Sequence, residues 1–227
     1  MAIHKSTIKK FSIIALLAGS LSIGVPHFGQ IKQKNHQHAQ VKKNQNAGVA
    51  VLLIDMQEFY AKTLSDDELK REIPNQIAIL DYCEKNTVPV FVLESNSSIN
   101  GHTIPILKEK IKKLNKKEYI FKESEDGFVG TSLDELLKQE GVKHVILMGA
   151  YASYCVKNTA RGAIRNGYNI MTSKDIIADI PHPAFNESIP FYKQHGIYKD
   201  SYKDLLDIIT TGTIEENLQK KDSYLQR

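Results

Sequence analysis

Asp55, Lys122 and Cys155 are the residues of this sequence whose types and positions point to a reaction. Asp55 closes the apolar segment LLID, Lys122 closes YIFK, and Cys155 lies seven residues after the run VILM. A thiolate is a strong nucleophile, and a nearby ammonium or a helix N-terminus favours it over the thiol. An aspartate beside a thiol can accept its proton and later activate water. Together these side chains predict acyl transfer to water from an amide or a similar carbonyl compound.

The segment GAYASYCVKN, at residues 149–158, predicts how the cysteine is presented. Small and aromatic residues form a turn after the apolar run, and Cys155 opens a helix that ends near Gly167. Backbone N–H groups in the turn before a helix can stabilise a developing oxyanion. Since a single cysteine in such a turn is more often a packing residue, the prediction depends on Asp55 and Lys122 as well.

Strands and helices alternate along the chain from Val49 onward. The predicted strands are residues 49–54, 88–93, 119–121, 145–148 and 169–172, and the predicted helices are 65–85, 105–114, 133–140, 155–166 and 184–195. This order predicts an α/β fold with three α/β/α layers and a mostly parallel central sheet, similar to a Rossmann fold. The active site of such a sheet lies beyond the carboxyl ends of its strands, where Asp55, Lys122 and Cys155 would meet.

The first 47 residues differ in composition from the rest of the chain. A basic start precedes an apolar stretch too short to span a bilayer, so residues 1–25 predict a secretory signal peptide. The alternatives are an uncleaved leader that anchors the protein to a membrane, and no export. Residues 26–47 are rich in Gln, Lys, Asn and His and predict a disordered linker. We therefore expect an exported protein, periplasmic or secreted, with its main domain at 48–210 and a polar, frayed tail at 211–227.

The charge distribution argues against a nucleic-acid surface. The chain has 30 Lys and Arg residues against 26 Asp and Glu residues, but the first 47 residues hold seven of the lysines and no acid. Subtracting those seven leaves 23 basic against 26 acidic residues, a net charge of −3 for the part predicted to fold. We expect a small-molecule substrate, no nucleic-acid partner, and membrane contact only through the leader.

Three longer segments carry a family resemblance: LLIDMQEFY, FKESEDGFVGTSLDELL and VILMGAYASYCVKNTARGAIRNGYNI. In order and approximate spacing they resemble the isochorismatase-like cysteine hydrolases, the superfamily that includes nicotinamidases and N-carbamoylsarcosine amidohydrolase. The resemblance implies a catalytic triad of Asp55, Lys122 and Cys155. It also implies a cis peptide between Ala150 and Tyr151, which would direct the N–H groups of Tyr151 and Cys155 at the oxyanion.

The resemblance also implies which residues line the substrate pocket. Tyr60, five residues after the aspartate, and Phe128, six residues after the lysine, would form part of its wall. Tyr60, Tyr151 and Tyr154 are larger than the residues most common at these positions in the superfamily. We therefore expect a narrow or polar-walled pocket. Because members of the superfamily often form dimers or tetramers, the resemblance also implies self-association.

One departure from the superfamily concerns metal binding. Nicotinamidases carry an Asp-x-His metal motif with a further His after the second strand. The corresponding region here is LESNSSINGHT, where Glu94 and His102 occur without that motif. We therefore expect no metal, no other cofactor and a substrate other than nicotinamide, and the part that Glu94 or His102 plays in the site stays open.

Two other functions remain as alternatives to amide hydrolysis. An isochorismatase-type vinyl-ether hydrolase would need Asp55 but not Cys155, and the relatives that cleave this bond commonly lack the cysteine. A non-catalytic secreted protein could keep the fold as a binding scaffold. Elsewhere, Cys83 is expected to pack in the core, and His182 and His195 are expected at the surface or in a cap. The basic segment at 110–118 predicts a solvated helix face and loop.

Overall fold

Strands and helices alternate in the computed structural model, which describes residues 48–180 and 182–225. The strands are β1 (Val49–Ile54), β2 (Val90–Ser95), β3 (Lys117–Lys122), β4 (His144–Ala150), β5 (Asn169–Ser173), β6 (Ile177–Ala178) and β7 (Gly196–Lys199). The helices are α1 (Glu58–Ala61), α2 (Asp66–Asn86), α3 (Pro105–Lys112), α4 (Leu133–Gln139), α5 (Cys155–Arg165), α6 (His182–His195), α7 (Tyr202–Thr211) and α8 (Ile214–Leu225). The leader and linker expected in residues 1–47 lie outside the described residues and stay predictions. Across the described residues, every helix is too short or too polar to cross a membrane.

Within the described residues all seven strands join one sheet, and every pairing between them is parallel. The order along the sheet is β3, β2, β1, β4, β5 and β7, and the short β6 pairs with the end of β4. Right-handed crossovers place α2 and α3 on one face and α5 on the other. This arrangement confirms the predicted three-layer α/β/α fold. The direction of the strand order reverses between β1 and β4, where a ligand crevice forms in folds of this type.

The central strands β1 and β4 lie in the middle of the hydrophobic core. Every residue of both strands is buried. Because helices cover both faces of a parallel sheet, such strands are continuous apolar runs rather than alternating ones. Burying one Leu or Ile side chain contributes about 1.5–3 kcal/mol to folding. The residues that follow these strands are therefore held on a rigid base.

A capping box fixes the start of α2, shortly after the end of β1. The Ser65 hydroxyl accepts a hydrogen bond from the Glu68 N–H at 3.2 Å, and the Glu68 carboxylate accepts one from the Ser65 N–H at 3.4 Å. These bonds satisfy N–H groups that the first helical turn leaves without partners. The helix predicted to begin after Ser65 is confirmed.

The C-terminal part differs from the prediction of a frayed tail after residue 210. Gly212 ends α7 in a left-handed conformation with φ 72°, and α8 then continues to residue 225. Ile214 and Leu218 are buried, and α8 packs against α6, α7 and β7. The prediction is wrong because only two apolar residues, one turn apart, indicate a buried helix face in a segment that is otherwise polar. The edge strand β7, which pairs with β5, is also absent from the prediction.

Candidate active site

The ends of β1 and β3 bring Asp55 and Lys122 into direct contact. The Lys122 Nζ donates to Asp55 Oδ2 at 2.8 Å, and the side chains are 2% and 1% exposed, respectively. Lys122 Nζ also donates to the Ser124 carbonyl at 3.2 Å. The Asp55 N–H donates to the Leu93 carbonyl at 2.9 Å, so the end of β2 lies between the two side chains' strands. Two residues 67 positions apart thus form one buried ion pair.

A glycine lets the end of β4 approach β1 closely. Gly149 pairs with Ile54 and has φ 123°, a value that L-residues rarely adopt. A Cβ atom at this position would lie 2.0 Å from the Ile54 carbonyl oxygen. The next peptide bond, between Ala150 and Tyr151, is cis, as the resemblance implied. The chain then turns through Tyr154 into α5.

Three hydrogen bonds hold this turn in place. The Ala152 N–H donates to the Ala178 carbonyl at 2.7 Å, and the Tyr192 hydroxyl donates to the Ala152 carbonyl at 2.5 Å. The Ser153 N–H donates to Asp179 Oδ2 at 2.6 Å. Sequence reasoning did not find Asp179 or Tyr192. Asp179 directly follows the apolar pair of β6, so the strand-end pattern that identified Asp55 was also available there.

Two N–H groups of the turn are left without a protein acceptor. Among the hydrogen bonds of the described residues, neither the Tyr151 N–H nor the Cys155 N–H takes part, whereas the Val156 N–H donates to the Tyr151 carbonyl at 3.1 Å. The Cys155 N–H belongs to the first turn of α5, where the helix itself supplies no acceptor. The role of these two N–H groups towards an oxyanion, which the resemblance implied, stays a prediction.

The thiol of Cys155 is buried, with 6% of the residue exposed. Burial, followed by the charge of Asp55, raises the pKa of this thiol to about 12, and Lys122 opposes both effects. Lys122 therefore favours the thiolate, as predicted, but burial of the thiol and the negative charge of Asp55 outweigh it.

The carboxyl group next to this thiol is that of Asp55. Burial raises the pKa of the Asp55 carboxyl, while the Lys122 charge and hydrogen bonds from Lys122 and Cys155 lower it. The Ser95 backbone also lowers it. Asp55 Oδ1 is buried and has no hydrogen-bond partner of normal geometry among the described residues. The carboxyl group and the thiol are thus electrostatic neighbours at the end of β1.

Tyr60 lies beside the turn, and Tyr151 and Tyr154 are part of it. The rings of Tyr60 and Tyr151 meet edge to face with centroids 5.6 Å apart, and the Tyr151 hydroxyl lies 2.5 Å from the Thr63 hydroxyl. Tyr154 is 51% exposed, and its hydroxyl donates to Glu125 Oε1 at 2.7 Å. The expected polar-walled surroundings of the thiol are consistent with these contacts.

The ring of Phe128 packs on that of Tyr168, with centroids 5.8 Å apart, and Tyr168 follows the C-terminal end of α5. The loop after β3 that carries Phe128 lies along the first turns of α5, because the Gly127 N–H donates to the Thr159 hydroxyl at 3.0 Å. The part of Phe128 in the pocket wall stays a prediction.

Glu94 and His102 take part in a loop contact near the end of β2. Glu94 is buried and accepts hydrogen bonds from the Thr103 N–H and hydroxyl at 2.7 and 2.6 Å. His102 Nδ1 lies 3.4 Å from the same carboxylate. The neighbouring Gln57 amide donates to the Gly101 carbonyl at 2.7 Å and thereby holds the same loop. Among the residues that the structure describes, no three His, Cys, Asp or Glu side chains are grouped to hold a metal ion.

Cys83 and His195 belong to other parts of the molecule. Cys83 is buried in the core, as predicted, and burial raises the pKa of its thiol. His195 is exposed, and its ring lies 4.8 Å from that of Phe191. The side chain of His182 is outside the described part.

Known proteins with a similar sequence or fold include hydrolases of the superfamily that the sequence resembles. A family model described as the isochorismatase domain matches residues 49–197. Nicotinamidase 3 of Arabidopsis thaliana is 27% identical over 168 residues, covering 65% of this chain and 80% of that protein. The N-carbamoylsarcosine amidase of Thermoplasma acidophilum aligns with a TM-score of 0.58 and 21% identity, over 68% of this chain and 96% of that one. The nicotinamidase of Staphylococcus aureus aligns with a TM-score of 0.58 and 22% identity, over 67% and 99%.

The family model covers well over half of the chain, including β1, β3, β4 and the start of α5. The segments that carry Asp55, Lys122 and Cys155 all lie inside the matched range. The chain is therefore a hydrolase of the isochorismatase family.

Proposed function

We propose that this protein is a cysteine hydrolase that cleaves the C–N bond of a small-molecule amide through an acyl-enzyme on Cys155. The observation that carries the proposal is the buried Asp55–Lys122 pair beside the Cys155 thiol, at the carboxyl edge of the sheet. The nicotinamidase and the amidase among the similar proteins support an amide as the substrate class.

Acylation begins with attack of Cys155 Sγ on the amide carbonyl carbon while the thiol proton passes to Asp55. Formation of the S–C bond turns the carbonyl oxygen into an oxyanion, which the N–H groups of Tyr151 and Cys155 stabilise. Asp55 then gives the proton to the leaving nitrogen and the C–N bond breaks. The products of this half-reaction are a thioester on Cys155 and ammonia or an amine.

Deacylation uses the same carboxylate. Asp55 accepts a proton from a water molecule as the water oxygen attacks the thioester carbon. The C–S bond breaks, the proton returns to sulfur, and the carboxylic acid leaves. The Lys122 ammonium holds Asp55 in position throughout, and its charge opposes the effect of burial on the pKa of that carboxyl.

The neutral thiol of the resting site fits this order of events. A thiol whose pKa is raised to about 12 is almost entirely protonated at neutral pH, so it cannot attack without a base. Asp55 is that base, and the thiolate forms only as the S–C bond forms. Proton transfer and attack are thus coupled in one step.

A screen of small amides for ammonia release tests the proposal. We expect turnover by the wild-type protein, loss of turnover in Cys155→Ala and Cys155→Ser, and retained turnover in Cys83→Ala, which is the matched control for removing a thiol. An amide that the wild-type protein and Cys155→Ala hydrolyse equally fast would contradict the mechanism.

The two alternatives predict different results with the same variants. A vinyl-ether hydrolase would keep activity on a vinyl-ether substrate in Cys155→Ala and lose it in Asp55→Asn. A binding scaffold would turn over neither class of substrate, and its Cys155 would not react with small thiol reagents. Either pattern would replace the cysteine-hydrolase proposal.

A further inference from the structure

Glu125 provides a carboxylate beside the turn of Cys155 that the proposed reaction does not use. It lies three residues after Lys122, on the turn that Lys122 holds through the Ser124 carbonyl at 3.2 Å. Its Oε1 accepts a hydrogen bond from the Tyr154 hydroxyl at 2.7 Å, and Tyr154 directly precedes Cys155. Glu125 is exposed and Cys155 is buried, so the carboxylate lies between bulk water and the thiol side of the turn.

The charges around the thiol do not balance. Asp55 and Lys122 form a neutral pair at 2.8 Å. Glu125 adds a negative charge that acts on the thiol, and the hydrogen bond from Tyr154 keeps this carboxyl ionised by lowering its pKa. Glu125 therefore leaves one negative charge on the exposed side of the turn, in addition to the neutral Asp55–Lys122 pair.

Aromatic rings add a second feature that favours cations. Tyr60 and Tyr151 pack edge to face next to the turn, and Tyr154 presents a half-exposed ring at its end. A cation within reach of a tyrosine face is attracted by the negative face of the ring. A carboxylate together with tyrosine rings is a common way to recognise an ammonium group.

We propose that the substrate carries a positive charge, such as an ammonium group, close to the scissile amide, and that Glu125 with the tyrosine rings selects it. This inference rests on the proposed function only in taking Cys155 as the reacting group. Glu125 then determines specificity and has no part in proton transfer. Anionic and neutral amides of the same size are then poorer substrates than the cationic amide.

Charged thiol reagents measure this preference without any knowledge of the natural substrate. Modification of Cys155 by trimethylammonioethyl, sulfonatoethyl and methyl methanethiosulfonate is followed by mass spectrometry at low salt, with each rate divided by that for free cysteine. We expect the cationic reagent to react faster than the anionic one. The ratio should fall about three- to tenfold in Glu125→Gln.

Glu123→Gln is the matched control, because it removes the same charge from an exposed residue of the same turn. The ratio should stay within about twofold of the wild-type value in this variant, since exposed charges farther away are screened. Equal rates for the cationic and anionic reagents, or equal ratios in Glu125→Gln and Glu123→Gln, would overturn the charge inference alone. Failure of the neutral reagent to modify Cys155 would instead contradict the nucleophile on which both proposals rest.

A pair of amides extends the test to turnover. The cation (trimethylammonio)acetamide and the neutral tert-butylacetamide have nearly the same shape. The ratio of their kcat/KM values should fall about three- to tenfold from wild type to Glu125→Gln, and comparing the two proteins cancels the intrinsic reactivity of each amide. A ratio that Glu125→Gln leaves unchanged while Cys155→Ala abolishes both activities would sink the charge inference and leave the cysteine hydrolase standing.

Discussion

Asp55 and Glu72 are both buried carboxylates paired with a cationic side chain, and the comparison shows what makes one of them a site. Asp55 meets Lys122 at 2.8 Å, and Glu72 meets Arg71 at the same distance. Burial raises the pKa of both carboxyls, that of Glu72 to about 8. A buried ion pair by itself therefore does not identify a catalytic group.

The surroundings of the two carboxylates differ. Glu72 lies inside α2 and faces Gln76, whose amide donates to the Ile176 carbonyl at 3.0 Å. Asp55 lies at a strand end, beside the Cys155 thiol and near a turn with two N–H groups that lack acceptors. The neighbouring thiol and the N–H groups without acceptors distinguish the surroundings of Asp55 from those of Glu72.

The largest effect we expect is the loss of catalysis on removing the carboxylate of the site. Asp55→Asn should lower kcat/KM on a small amide by about 10²–10⁴-fold, because the thiol then has no base. Glu72→Gln should leave kcat/KM within about twofold, since its side chain is not near the turn. Steady-state ammonia release measures both, and similar losses in the two variants would remove the distinction between the pairs.

Next in size is the pH dependence of stability at Glu72. Its folded-state pKa of about 8 is above the ordinary 4.5, so the folded protein holds this proton more tightly than the unfolded chain does. The stability from the protonated form is complete below pH 4.5 and is lost as the pH rises to about 8. Glu72→Gln lacks this loss, so it should gain up to about 4 kcal/mol in unfolding free energy over the wild type across that window.

Urea unfolding at several pH values measures this difference. The variant Glu123→Gln serves as the control because Glu123 is exposed. A Glu72→Gln minus wild-type difference that does not change between about pH 4 and about pH 9, which bracket the window from 4.5 to about 8, would show that folding does not raise the pKa of Glu72.

The cation of each pair gives a third contrast. The Lys122 charge lowers the pKa of Asp55, so Lys122→Met should move the acidic limb of the kcat/KM profile upward by about 1–3 pH units. Arg71→Met should leave that limb in place. A profile that Lys122→Met does not shift would mean that Asp55 is not the group whose ionisation controls the rate.

The smallest effect concerns the hydrogen bonds that hold the turn. Tyr192→Phe removes the donor to the Ala152 carbonyl, which is 2.5 Å from the Tyr192 hydroxyl. We expect a loss of about 1–2 kcal/mol in unfolding free energy, because a buried carbonyl loses its partner. Thermal unfolding measures it, with Tyr202→Phe as a control on a partly exposed tyrosine. Equal stability of Tyr192→Phe and the wild type would show that the turn does not depend on this bond.

The sequence predicted the strand-end residues because the strands that carry them are continuous apolar runs. Asp55 and Lys122 could be placed at one sheet edge from the βαβ order alone, but the distance between them could not be predicted. The position of Phe128 could not, because it depends on how the loop after β3 packs along α5. Asp179 and Tyr192 were missed because β6 has two residues and because one face of α6 gives no sign of the turn it contacts.

The raised pKa of Cys155 could not be predicted from the sequence. A helix N-terminus and a lysine both favour a thiolate, and Lys122 does lower the pKa of this thiol. Burial of the thiol and the charge of Asp55 outweigh that effect, and the degree of burial is not visible in the order of residues. Glu125 could not be selected from the sequence either, because its contact with Tyr154 is visible only in the structure.

Acylation of Cys155 is the most direct test of the proposed mechanism. The protein is mixed rapidly with p-nitrophenyl acetate, and the acetylated peptides are mapped by mass spectrometry while nitrophenol release is recorded. We predict a burst close to one equivalent, an acetyl group on the Cys155 peptide that disappears with time, and a much slower burst in Asp55→Asn. An acetyl group found elsewhere, or a burst unchanged in Cys155→Ala, would contradict the central claim that Cys155 is the nucleophile.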